Sequence, residues 1–168
     1  MLTNGLYKFA MSTNNDEEIL EKFVAAELPS KTREDLITIA SLASSPIAVR
    51  SSSKLEDSFY QPFAGIYSTY MIPKAEDETL MLELLSVAIK SVFASVFFKD
   101  SKDYMTATGN NVEEEKMGVV LQEVCGQQYG NRFYPTVSGV ARSVNFYPID
   151  PEKSEDGFVS LAFGLGKY

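Results

Sequence analysis

Histidine is absent from the 168 residues. Within this chain that excludes a Ser-His-Asp triad, an imidazole proton shuttle, a phosphohistidine and most catalytic zinc sites. Cysteine occurs once, as Cys125. One thiol forms no internal disulfide and is too few for a zinc cluster, so a reducing, cytoplasmic setting is expected. No apolar run approaches the roughly 20 residues that a bilayer span needs, and no membrane partner is expected. Residues 1–10 lack a basic stretch followed by an apolar one, the mark of a signal peptide. The string G-x-x-x-x-G-K-[ST] does not occur, so the chain is not a P-loop protein. Basic residues are outnumbered 15 to 23, leaving a net charge of −8. Such a surface repels a nucleic-acid backbone, and no nucleic-acid partner is expected. A local basic pocket for a small phosphate ligand stays compatible with that balance.

What is present suits one compact domain over residues 1–168, since 45% of the residues are apolar and the charged share of 23% is ordinary. Asn14 or Asn15 can cap a helix entered through Asp16, Glu17 and Glu18, whose carboxylates favour a helix N-terminus. Ile19, Leu20, Phe23 and Val24 give it one apolar face. Pro29 ends that stretch, and Ser30 offers a cap to a second helix with Leu36, Ile37, Ile39, Ala40 and Ala43 on its apolar side. Ile47-Ala48-Val49-Arg50 reads as a short strand, and residues 65–72 as another that Pro73 breaks. The longest helix is predicted over residues 76–98, with a stripe of Leu80, Leu84, Leu85, Ala88, Val92, Phe93 and Val96. Residues 100–108 read as irregular or weakly helical. Strands are predicted over residues 117–125, 137–146 and 157–163. Elements that cluster by type, rather than alternate, predict an α+β fold.

Four groups of residues carry candidate chemistry. Arg50 ends an apolar strand and opens a loop of Ser51, Ser52 and Ser53. A guanidinium in that position grips two phosphate oxygens in a fixed fork. A surface ion pair with Glu56 or Asp57 is the competing role, and spacing alone favours it. Gly65, with Ser68 and Thr69 after it, can lie over a polyphosphate, or can be an ordinary turn. Gln122, Glu123 and Val124 close an apolar strand and can present backbone groups to an adenine edge, or can be its plain polar end. Glu56 and Asp57 can also serve a divalent cation or acid–base work. Cys125 reads as a small buried hydrophobe, because no histidine exists to activate it.

Taken together, these residues resemble a known family. Ile47-Ala48-Val49-Arg50-Ser51-Ser52-Ser53, then Glu56-Asp57, Phe63-Ala64-Gly65 and Ser68-Thr69-Tyr70, resemble the signature of the ATP-grasp domain of phosphoenolpyruvate synthases and pyruvate phosphate dikinases. Weaker landmarks follow in the same order. Ala94-Ser95-Val96-Phe97 is similar to the end of that family's long helix. Val119-Val120-Leu121-Gln122 is similar to its hinge strand, Ser138-Gly139-Val140-Ala141 to a later strand, and Phe163-Gly164-Leu165-Gly166 to a glycine turn. The likeness covers 47–168, and residues 1–46 form a helical lead-in without such a landmark.

The resemblance implies an ATP-grasp-like lobe with a mixed or antiparallel sheet flanked by helices. It implies ATP, with Mg²⁺ in the complete domain, as the bound nucleotide. Arg50 would contact phosphates, Gly65, Ser68 and Thr69 would cover them, and Gln122, Glu123 and Val124 would hold the adenine. It further implies phosphoryl transfer to a histidine on another domain and then to pyruvate or another acceptor, with those domains as partners. The departures are a missing Gly-Gly-Lys, Met105 where arginine is usual, and Lys167 where glutamate is usual. The sequence reads as a piece of a longer phosphotransferase that does not turn over alone. A non-catalytic regulatory or interaction module on the same scaffold is the alternative.

Overall fold

In a computed structural model, residues 5–53, 55, 65–112 and 115–165 are described. The chain forms two compact units, Met1–Glu123 and Val124–Tyr168. Their architecture is α+β, with antiparallel sheets throughout.

The first unit begins with three helices: α1 (Leu6–Ser12), α2 (Asp16–Ala25) and α3 (Ser30–Leu42). Helix α1 has no counterpart in the sequence reading. Its seven residues are too few to show a period, and it is held by burial of Leu6 and Ala10. Asn15 caps α2, its side chain accepting from the backbone N–H groups of Glu17 and Glu18 at 3.1 and 3.3 Å. Ile19 and Phe23 are its buried residues. Ser30 does not cap α3. It is the first helical residue, and Pro29 occupies the cap without a side-chain bond.

Strand β1 (Ile47–Ser53) lies between β2 (Tyr70–Ile72) and β3 (Met117–Glu123). Ile47 stands opposite both Ile72 and Glu123, and Val49 opposite both Tyr70 and Leu121. The sheet packs on α4 (Glu78–Ser95), capped by Asp77, whose carboxylate accepts from Thr79 N at 2.9 Å. The buried stripe of α4 is Met81, Leu85, Ala88, Ile89 and Val92. It shares Leu85, Ala88 and Val92 with the predicted one, Leu84 and Phe93 pack against the same core, and Leu80 is exposed. By length and composition alone the helical stretch Glu78–Ala107, whose apolar part is α4, is long and apolar enough to cross a membrane. The cause is its place at the centre of a core that also takes Leu36, Ala40, Ile47, Val49 and Ile72.

Residues 100–108, read as irregular or weakly helical, lie largely in a helix, α5 (Lys99–Ala107). Lys99 and Asp103 pair one turn apart, the Ser101 hydroxyl donates to Ser95 O at 2.6 Å, and Met105 is buried. Two lysines fasten helix ends in this unit. Lys90 Nζ donates to Val24 O and Ala26 O at the end of α2. Lys102 Nζ donates to Ala10 O and Thr13 O at the end of α1, both at 2.6 Å. Ammonium groups at helix C-termini satisfy carbonyls that have no partner within the helix.

The second unit holds two hairpins. Strands β4 (Gln127–Tyr129) and β5 (Arg132–Tyr134) pair around Gly130, whose φ of 63° suits a two-residue turn. Strands β6 (Val137–Arg142) and β7 (Phe158–Phe163) pair over six positions. The predicted strand over 137–146 stops at Arg142. There Gly157 comes so close that an added Cβ would lie 2.3 Å from Arg142 O.

Candidate nucleotide face

Strand β1 alternates. Ile47 and Val49 are turned into the core, 1% and 0% exposed, while Arg50 is exposed. Because paired residues share a face, the register assigns the outer surface of the sheet residue by residue. Arg50 stands beside Val120, Ala48 beside Met71 on one side and Gln122 on the other, and Ser52 beside Gly118. Val120 and Met71 are 43% and 60% exposed. The outer surface therefore exposes an apolar floor of Val120 and Met71 with a guanidinium and an amide on it, while Ala48, on the same face by register, is itself buried. Cross-strand neighbours are about 5 Å apart and diagonal ones about 7–8 Å. Arg50 and Gln122 thus stand within the span of one bound small molecule.

Residues 65–69 run into β2. Gly65 has φ 84° and open space around it, so the backbone conformation, not crowding, calls for glycine. The predicted strand over 65–72 shortens to β2 for this reason. Tyr67 is buried, and its hydroxyl donates to Glu115 Oε2 at 3.2 Å. Ser68 N donates to Ser95 Oγ at 3.4 Å. The segment is thus pinned against α4, and Thr69 is exposed. The pairing with β1 ends at Val49↔Tyr70, so Thr69 lies just before β2 and outside the ladder. Of the predicted site residues, Arg50 and Gln122 share the outer surface.

Glu123 does not present its carboxylate there. It pairs with Ile47, two positions from Leu121, and its side chain takes the core side of the sheet end. Its Oε1 accepts from Ser44 N at 2.7 Å, Ser44 Oγ at 3.1 Å and Ser45 N at 3.3 Å. Those donors, backbone of Ser44 foremost, hold the carboxyl below its ordinary range, with help from the charge of Lys74 and against a small desolvation effect. Val124 is the first residue of the second unit. The strand read as continuous over 117–125 ends at Glu123. Cys125 lies beyond it and is exposed rather than buried, because pairing with β1 is exhausted at Ile47↔Glu123.

Among the described residues, no carboxylate forms an ion pair with Arg50. Glu56, Asp57 and Lys167 lie outside the described residues. A cavity of about 830 Å³ opens on the core side of the sheet, lined by Leu28, Leu36, Phe93, Val119 and Leu121 among others. Its walls are mostly apolar and do not include Arg50, so the outer surface is the better match to a nucleotide. An apolar floor suits the base, and the exposed guanidinium suits phosphate oxygens. Among the described residues no group of three His, Cys, Asp or Glu could hold a metal ion.

The sequence missed Met71 and Val120 as the floor of this surface. The signal was available in the two-residue period of β1. It was hidden in β3 because residues 117–121 are apolar on both faces apart from Gly118.

The chain was compared with known proteins. An uncharacterized phosphotransferase of Bacillus subtilis (strain 168), YvkC, is 33% identical over 121 residues, which is 72% of this chain and 12% of that protein. A phosphoenolpyruvate synthase of Aeropyrum pernix is 26% identical over 159 residues, 90% of this chain and 17% of that protein. The chain thus spans less than a fifth of the length of either relative. The family described as pyruvate phosphate dikinase, AMP/ATP-binding domain, matches over residues 7–168. That match takes in α1–α3, where the sequence offered no landmark, and both compact units. The chain belongs to the pyruvate phosphate dikinase AMP/ATP-binding domain family.

Proposed function

We propose that this chain supplies the base- and phosphate-contacting surface of an ATP-grasp-type phosphotransferase. The observation that carries the reading is the register, which sets Arg50, Val120 and Gln122 on one open sheet surface. Arg50 grips phosphate oxygens in its fork, and Thr69, exposed at the end of the segment that runs into β2, offers its hydroxyl to them. The base lies on Val120 and Met71, with the backbone of Gln122, Glu123 and Val124 at its edge. Bound ATP, with Mg²⁺ on its phosphates, supplies the phosphoryl group. The chain's own share is positioning and charge neutralisation, which dominate phosphoryl transfer. Both compact units belong to one nucleotide-binding domain in this reading, supported by a family match that runs through both. In a complete protein the phosphoryl group passes to a histidine on another domain and then to pyruvate. The name of the Aeropyrum relative supports that acceptor. A reducing cytoplasm fits the single exposed thiol.

Calorimetric titration of MgATP into the chain tests the reading. Weak but saturable binding is expected, and Arg50→Ala should weaken it by about 10- to 100-fold, the worth of charge-assisted hydrogen bonds. Equal affinities for the two proteins would remove Arg50 from the site.

One observation favours a second reading, a non-catalytic module on the same scaffold. Met105, where arginine is usual in the family, is 1% exposed and packs with Tyr67 and Val96. A buried thioether there contacts no phosphate. Phosphoryl transfer by a protein containing this domain, traced with γ-labelled ATP, would decide against that module.

A further inference from the structure

We infer that Glu123 is a positioning residue for the nucleotide base, acting through its hold on the turn between α3 and β1. The inference rests on the nucleotide reading above and deepens it. The backbone of Gln122, Glu123 and Val124 is where that reading puts the base edge, but the Glu123 side chain turns away from the outer surface. One oxygen, Oε1, gathers three donors from residues nearly eighty positions earlier: Ser44 N, Ser44 Oγ and Ser45 N. Ser44 and Ser45 follow the end of α3 and lead into β1. The last residue of β3 is thereby fastened to the entry of β1, at the end of the ladder where Ile47↔Glu123 and Ala48↔Gln122 pair. It is also the last residue of the first compact unit.

The carboxylate is exposed, so its removal leaves no buried charge behind. The seven pairs between β1 and β3 remain without it. What it adds is fixity at the strand end, where a fraying backbone would offer the base a moving edge. Three hydrogen bonds to one ionised oxygen are the geometry that suppresses such fraying. Pre-organised backbone groups lose less entropy when a ligand docks.

The test separates this role from plain stability. MgATP and magnesium tripolyphosphate, which carries no base, are titrated by calorimetry into the chain and into Glu123→Ala. Loss of about tenfold in affinity for MgATP is expected, the worth of a charge-assisted bond, with tripolyphosphate unchanged. Glu123→Gln, which keeps a carbonyl acceptor for the two backbone donors, should recover part of the loss. Should Glu123→Ala fail to fold, Ser44→Ala removes one of the three donors and should give a smaller loss, again for MgATP alone. Equal weakening of both ligands, or of neither, would overturn the assignment while leaving the nucleotide reading standing. No binding of either ligand to the unsubstituted chain would overturn the nucleotide reading and this assignment with it.

Discussion

Single residues on this sheet act by which face they take. Arg50 and Glu123 were both legible as candidates from sequence, yet they end on opposite sides because their positions differ in parity along paired strands. Parity is invisible until the register is known, and register depends on partners some seventy residues away. Glu123 has a consequence for pH. Its carboxyl titrates below the ordinary range in the folded chain, chiefly because Ser44 donates to it. The folded state therefore binds fewer protons there than the unfolded chain, and the contact stabilises above the unfolded value. That contribution fades as pH falls through the lower folded value. Denaturant midpoints of the parent and Glu123→Gln, compared across pH, should differ near neutrality and converge once the pH has fallen below the lowered folded value. A gap that persists unchanged in acid would show that the ionised carboxyl is not the source.

At the scale of elements, the helices were legible where a cap and a period coincided. Asn15 before Asp16, Glu17 and Glu18 fixed the start of α2, and the run of leucines announced α4. One element escaped and another was only half legible. Helix α1 is too short to show a period, and α5 is polar except for the face that buries Ser101 and Met105. Tertiary contacts decide both. Lys102 closes the end of α1, and Ser95 O receives the Ser101 hydroxyl. Helix α4 is the element on which the first unit depends, because its stripe meets both the sheet and α3. Leu85 is 0% exposed at the middle of that stripe. Leu85→Ala should cost about 2–5 kcal/mol, the usual range for a buried leucine. Urea denaturation of the first unit's signal would measure it, and a loss well under 1 kcal/mol would contradict the packing described.

Over the whole molecule, the two units differ in how they are built. The first has three-stranded pairing and a buried core. The second has two hairpins, and one face of β6–β7 is formed by Val137, Val159, Leu161 and Phe163, which are 46% to 90% exposed. Two-stranded hairpins are marginal by themselves in water. Amide hydrogen exchange should therefore be markedly faster in β6 and β7 than in β1 and β3, by about 100-fold or more, since local opening follows buried contact. Equal protection in both units would show that the second has a stabilising core of its own. The sequence could not reveal this contrast, because apolar strand residues look alike whether or not a second layer covers them.

The central claim is that the outer surface of the three-stranded sheet receives ATP. Backbone amide shifts recorded during a titration with MgATP test it most directly. The account predicts that the shifts concentrate at Ala48, Arg50, Ser52, Val120 and Gln122 and along Thr69 to Met71. Shifts confined to α2 and α3, or none anywhere at saturating nucleotide, would contradict it.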